Sequence, residues 1–258
     1  MRRLILEEPV TRAAVWSRRI GGFALAVTLI GVFLVRQQRV EMTAGLAVFG
    51  SGLLLALGAA GLAAIAFAMI WLEGRRGLGR AVQGLVLALA VLAWPGFLAF
   101  KAVLLPKLND VSTDIEEPPA FSRSRAALAA RGGHVPVEVA PATRRRQREA
   151  YPLVAPLHLD LTPEEAFEAV RKAAQVMGWE IVEAAPPGGR IGLGRLDAVD
   201  RSLILRFPDD ITVRLRPRVG GTRIDVRSAS RYGAHDFGVN AARITDFLEE
   251  VSAQAEAR

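Results

Sequence analysis

The 258-residue chain has no cysteine, which excludes a disulfide framework and any thiolate-ligated metal site. Histidine is nearly as scarce. The three present, His134, His158 and His235, lack ligand spacing. A metal centre needs three or four converging donors, so neither a metal nor a cofactor is expected. No G-x-S-x-G element is present either, which removes the usual device for straining and exposing a nucleophilic serine. Three long stretches also lack Asp, Glu and His altogether: Ile20–Val35, Thr43–Leu72 and Ala81–Phe100. Buried ionisable groups mark ion and proton pathways in membranes, so their absence argues against such a pathway.

What these stretches contain is apolar. The middle one runs thirty residues without a charge, against the ~20 that a helix needs to cross a ~30 Å hydrocarbon layer. Residues 1–105 are therefore expected to form a transmembrane region of three helices, at about 18–36, 43–72 and 80–101. Ile20–Val35 is short, but Arg36-Gln37-Gln38-Arg39 follows it without a small-residue cleavage pattern, so it reads as an uncleaved anchor. Trp71 and Trp94 sit near span ends, and Pro95-Gly96 predicts a kink in the third. In the second span Gly52, Ala56, Ala60, Ala64 and Ala68 recur every four residues, a smooth stripe expected to pack against another helix.

The formal charge of +7 would ordinarily suggest nucleic acid, but its location does not. Residues 1–105 hold 11 Lys/Arg and 4 Asp/Glu, while residues 106–258 hold 22 of each. The excess thus belongs to the membrane half. Arg2, Arg3, Arg12, Arg18 and Arg19 fall on one side with Arg75, Arg76 and Arg80. Arg36, Arg39, Lys101 and Lys107 fall on the other. Eight against four places the N-terminus in the cytoplasm and the C-terminal domain outside it, periplasmic in a Gram-negative cell.

After the third span come L-N-D-V-S-T-D-I-E-E-P-P-A-F (Leu108 to Phe121), Q-R-E-A-Y-P-L-V-A-P-L (Gln147 to Leu157) and R-I-D-V-R-S-A-S-R-Y-G-A-H-D-F-G-V-N-A-A-R-I (Arg223 to Ile244). Together these resemble the bacterial and plastid family known as domain of unknown function 1499, over about residues 106–252. The resemblance implies no reaction, cofactor or catalytic residue. At one position the chain departs from that pattern: Leu153 follows Tyr151-Pro152 where an acidic residue is expected.

Residues 106–150 read as an extended linker carrying the 108–121 motif, and residues 151–258 as a small α+β domain. Alternating Leu157, Leu159 and Leu161 predict a strand. Thr162-Pro163-Glu164-Glu165 opens a helix with Phe167, Val170, Ala174 and Met177 on one face, ended by Gly178. Strands are expected at Trp179–Ala184, around Ile191–Leu196, at Leu203–Phe207 and at Ile211–Leu215, with turns at Pro186–Gly189 and Pro208–Asp210. A Gly220-Gly221 hairpin returns through Ile224, Val226 and Ser228. A last helix follows with Ile244, Phe247, Leu248 and Val251 on one face. The whole is a mostly antiparallel sheet of about five strands with two helices on one face.

Candidate binding residues cluster where the last strand meets the last helix: Arg227, Ser228, Ser230, Arg231, Asp236 and Asn240. Guanidiniums, hydroxyls and a helix start are the ingredients of an anion pocket. The competing reading has Asp236 capping the helix and the arginines paired with carboxylates such as Asp225. Ser230, His235 and Asp236 carry triad letters, but His and Asp are adjacent, an awkward alignment, so no catalytic residue is assigned. Arg214, Arg216, Arg223 and Arg227 fall on the non-core face of the last hairpin. That face is either solvated and cross-paired or a docking surface for an acidic partner or lipid headgroups.

The expected protein is a membrane-anchored, non-enzymatic binding or accessory module. Its partners would be the bilayer and a membrane protein or second copy. The alternative is an envelope enzyme or anionic-lipid handler using Arg227 to Asp236.

Overall fold

The computed structural model describes residues 9–37, 39–136, 138–188 and 192–257. Arg2, Arg3, Gln38, Gly189 and Ile191, named above, lie outside them. The chain divides into two compact units after Phe100.

The first unit holds α1 (Arg12–Arg36), α2 (Met42–Glu73) and α3 (Leu78–Leu104) as far as Phe100, each helix long and apolar enough to cross a membrane. α1 is buried along Ala14, Ser17, Gly21, Ala24, Thr28, Gly31 and Val35. Those steps of three and four average 3.5 residues, the period that keeps a seam facing its neighbour along a left-handed crossing. α3 answers with Ala81, Gly84, Ala88 and Val91. α2 contributes Gly52, Ala56, Ala59, Ala63 and Ala66.

The residues of the expected α2 stripe differ in burial. Gly52 and Ala56 are buried, Ala60 is half-buried, and Ala64 and Ala68 are exposed. At 3.6 residues per turn a strict four-residue step rotates about 40° each time and leaves the seam. Pro95 lies inside α3, which continues to Leu104.

Small residues set how closely the helices approach. A Cβ on Gly84 would lie 2.7 Å from the backbone nitrogen of Arg18, and one on Gly21 would lie 3.0 Å from the carbonyl of Gly84. We expect Gly84→Leu to push α1 from α3 and destabilise the unit by about 1–3 kcal/mol. Cysteines introduced at Ala14 and Ala81, which share a buried cluster, should cross-link efficiently in the parent and poorly in that variant.

The second unit carries β1 (Asp110–Ser112), α4 (Arg125–Ala130), α5 (Pro141–Ala150), β2 (Leu157–Leu159), α6 (Pro163–Val176), β3 (Glu180–Ala185), β4 (Gly194–Arg201), β5 (Pro208–Arg218), β6 (Gly221–Ser230) and α7 (Val239–Glu256). β3 to β6 form an antiparallel meander, and β1 and β2 lie end to end along the outer edge of β6. The sheet thus has six strands, all antiparallel. α6 begins at the expected capping box, with Thr162 and Glu165 bonding reciprocally. Phe167 and Val170 of α6, with Ile244, Phe247 and Val251 of α7, cover one face over Leu196, Ile211, Val213, Leu215, Ile224 and Val226. Trp179 stacks on Phe247 with ring centroids 4.4 Å apart.

Three expectations change. Residues 106–150 are built into the domain rather than linking to it: β1 pairs with β6, and Leu108, Val111 and Phe121 are buried. Leu203–Phe207 is the turn joining β4 to β5, closed by Ser202 and Phe207, and Leu203 is exposed. Asp209 and Asp210, expected in a turn, instead open β5 opposite Asp200 and Val199. Asp209 pairs there with Arg243, and Asp210 with Arg231 and Arg131, all largely buried.

Candidate functional site

Alternation along β6 sends Arg227 to one face and Ser228 and Ser230 to the other. Arg227 lies on the face away from α6 and α7. It donates two parallel hydrogen bonds to Asp110, at 3.0 and 2.7 Å. Arg231, just past the strand, grips Asp210 at 2.8–3.1 Å. Ser228, Ser230 and Asn240 belong to the helix-covered face. Ser228 donates to Asn240 Oδ1 at 2.7 Å, and Asn240 Nδ2 donates to Ser230 at 3.0 Å. Asp236, two residues before the N-cap Gly238 of α7, receives the backbone N–H groups of Gly238 and Asn240, both at 3.0 Å. The sheet therefore separates these residues into two clusters.

On the helix side the cluster centres on Arg243, unnoticed in the sequence. It binds Asp200 at 2.8 Å and Asp209 at 2.6 Å, and donates to Ser228 and Asn240. Burial raises the Asp209 carboxyl despite Arg243 and Ser230.

The opposite face is almost wholly ionic, and residues 110–131 supply its counter-charges. Arg131, with its side chain 1% exposed, reaches Asp197 at 2.7 Å and Asp210 at 3.4 Å. Phe121 carries the guanidiniums of Arg131 and Arg227 over its ring, at 5.1 and 4.9 Å. Asp114 Oδ2 accepts from Arg214, Arg216 and Arg223 at 3.2, 2.7 and 2.9 Å. Asp225, fully buried beneath the same three arginines, holds them at 3.1, 2.9 and 2.8 Å. This face is neither solvated nor free: the chain's own acidic turn lies on it.

The model of a family described as Protein of unknown function (DUF1499) matches residues 110–251, more than half of the chain. The chain belongs to that family. No curated protein and no solved structure matches it. The match begins at Asp110, the first residue of β1, so the family unit includes the strand and acidic turn that complete the charged face.

Two open clefts flank the crossing formed by Pro136, Glu138 and Val139 of this DUF1499 domain. One, about 290 Å³, is lined by Asp110, His134, Ser230 and Arg231; the other, about 330 Å³, by Glu117, Phe121, Arg123, Arg144 and Arg227. Arg227 and Arg231 thus face different clefts. The signal that could have revealed the site was arithmetic: 22 acids equal 22 bases across residues 106–258, a balance suited to internal pairing.

Protonation tests the pairing. Burial would raise the Asp114 carboxyl, but the Glu117 amide and the arginines outweigh it and hold it below its ordinary 3.8. A carboxylate depressed in the folded state stabilises above its unfolded value, and that contribution is lost as pH falls through the folded one. Asp110, Asp197 and Asp209 shift upward through burial, so their protonation favours the folded state as pH falls. Asp114→Asn should therefore cost about 1.5–3 kcal/mol at neutral pH. Below pH ~4 its stability should decline less steeply than the parent's, in urea titrations of the second unit repeated across pH.

Proposed function

We propose that this protein is a non-enzymatic binding or accessory module, anchored in the inner membrane by α1–α3, with its DUF1499 domain on the extracytoplasmic side. The observation that carries this reading is the commitment of charge within the domain. Arg227, Arg231 and Arg243 each hold one or more buried carboxylates, so the groups suited to chemistry are spent on a rigid platform. The clefts beside Pro136 and the exposed surface are left for contact.

Charge distribution supports the orientation. The amide of Thr11 donates to the carbonyl of Arg76 at 3.0 Å, so the start of α1 and the α2–α3 turn share one end of the helical unit. Arg12 at that start and Arg75, Arg76 and Arg80 at that turn form a basic end, which the positive-inside rule assigns to the cytoplasm. Alkaline phosphatase fused after Arg258 should be active in intact cells. A fusion active only after cytosolic refolding overturns the topology. Purification of the tagged full chain in mild detergent should recover a stoichiometric membrane partner; recovery solely as a free monomer overturns the accessory role.

A further inference from the structure

We propose that Arg214, Arg216 and Arg223 form an anion site of phosphate class, which Asp114 and Glu117 of the chain's own turn occupy in this structure. Three guanidiniums converge on a single oxygen, Asp114 Oδ2, within 2.7–3.2 Å. Such convergence is how arginines receive a phosphate oxygen, through charge-assisted bonds of fixed fork geometry. Arg216 and Arg223 are directly opposed in the β5–β6 ladder. Like charges in that position repel unless an anion lies between them.

The charge balance identifies the ligand class. Three arginines over one buried carboxylate, Asp225, leave two positive charges. Asp114 meets one, and Glu117, bonded to Arg216 at 2.9 Å, meets the other. A phosphate monoester or free phosphate carries about −1.5 to −2 at neutral pH, so it can replace both side chains without leaving a cation unpaired. A single carboxylate cannot.

The turn is also placed to leave. Its ends are tied, by Thr113 N–H to the Val226 carbonyl at 2.9 Å and by Ser122 N–H to Asp197 at 3.1 Å. Residues 114–120 between them pair with no strand, and the Glu117 side chain is 74% exposed. Lifting it breaks ion pairs to the arginines, the Glu117 carbonyl's bond from Arg214, the contacts of Glu116 with Arg144 and Arg148, and the Pro119 carbonyl's bond from Arg227 at 3.4 Å, while β1 stays in the sheet. This inference rests on the binding-module reading and names its ligand.

The test uses the full chain in phosphatidylcholine nanodiscs, with hydrogen exchange followed across residues 113–121 at constant ionic strength. Inorganic phosphate should raise exchange of the turn about tenfold, as expected if one charge-assisted contact is displaced. If phosphatidic acid in the disc produces the same rise without added phosphate, the source is a lipid headgroup. A rise with inorganic phosphate alone identifies a soluble ligand. By calorimetry D114N/E117Q should bind phosphate about tenfold tighter than the parent, and further R216Q/R223Q substitution should abolish binding. Unchanged exchange with both probes overturns the site, as does binding that survives loss of the arginines. If D114N/E117Q does not fold, the exchange measurement on the parent decides alone. A partner recovered in detergent with a silent turn would sink this site and leave the accessory role standing.

Discussion

Replacing Arg131 with methionine should cost about 3–5 kcal/mol, the range for stripping one partner from a buried ion pair. Arg131 sits at 1% exposure against two carboxylates with none, Asp197 and Asp210, and donates to the Ser122 carbonyl at 2.6 Å. Asp210 would keep Arg231 at 2.8 Å. Among the described residues Asp197 would keep only the Ser122 amide and a distant Arg195 at 3.9 Å, and its Oδ2 already has no hydrogen-bond partner there. Phe121 would lose one of its two stacked cations. Against a total stability of ~5–15 kcal/mol, that loss should appear as a large fall in the midpoint of a urea titration. The double variant Arg131→Met, Asp197→Asn is the discriminating control. It removes both charges but keeps an acceptor for Ser122, so it should recover most of the loss. Equal losses in the single and double variants would mean that packing, not charge, is what Arg131 supplies.

Arg131 also shows where the sequence was readable and where it was not. The spans were plain because hydrocarbon solvation demands length and apolarity, and nothing else in the chain imitates them. α6 and α7 were plain because Phe167–Val170 and Ile244–Phe247–Val251 repeat at helical spacing. The capping box at Thr162 and the hairpin before Ile224 follow from local geometry. Each is a rule acting over a few neighbours.

The charged face obeys no such rule. Asp110 meets Arg227 across 117 residues, and Asp114 meets Arg223 across 109. No periodicity marks those partners, so residues 106–150 looked like polar linker and β5 like a strand starting too late. The α1 seam, by contrast, was legible and overlooked. Ala14, Ser17, Gly21, Ala24, Thr28 and Gly31 alternate steps of three and four, whereas the strict four-residue repeat in α2 drew attention to residues that turn away from the packed face.

A fragment beginning at Tyr151 should fail to fold, whereas one beginning at Lys101 should melt cooperatively. The shorter fragment keeps α6, α7 and the four-stranded meander, so by apolar pattern alone it looks complete. It loses Leu108, Val111, Phe121 and Ala127 from the buried set, and the strand that covers β6 at Arg227–Ala229. The charges are worse. Without Asp110, Arg227 loses its bidentate carboxylate; without Arg131, Asp197 is stranded; without Asp114, three arginines share Asp225 alone. Removing the cover wets these charges, so each lost charge-assisted pair costs about 1.5–3 kcal/mol, and each large apolar side chain given up adds about 1.5–3 kcal/mol. Together these losses are of the order of the ~5–15 kcal/mol that a domain of this kind has in hand. Near-ultraviolet circular dichroism, which reports the stacked Trp179–Phe247 pair, should show a thermal transition for the longer fragment and none for the shorter. A cooperative melt from the shorter fragment would show that the acidic segment decorates the sheet without holding it, and would remove the basis for treating residues 106–150 as part of the domain.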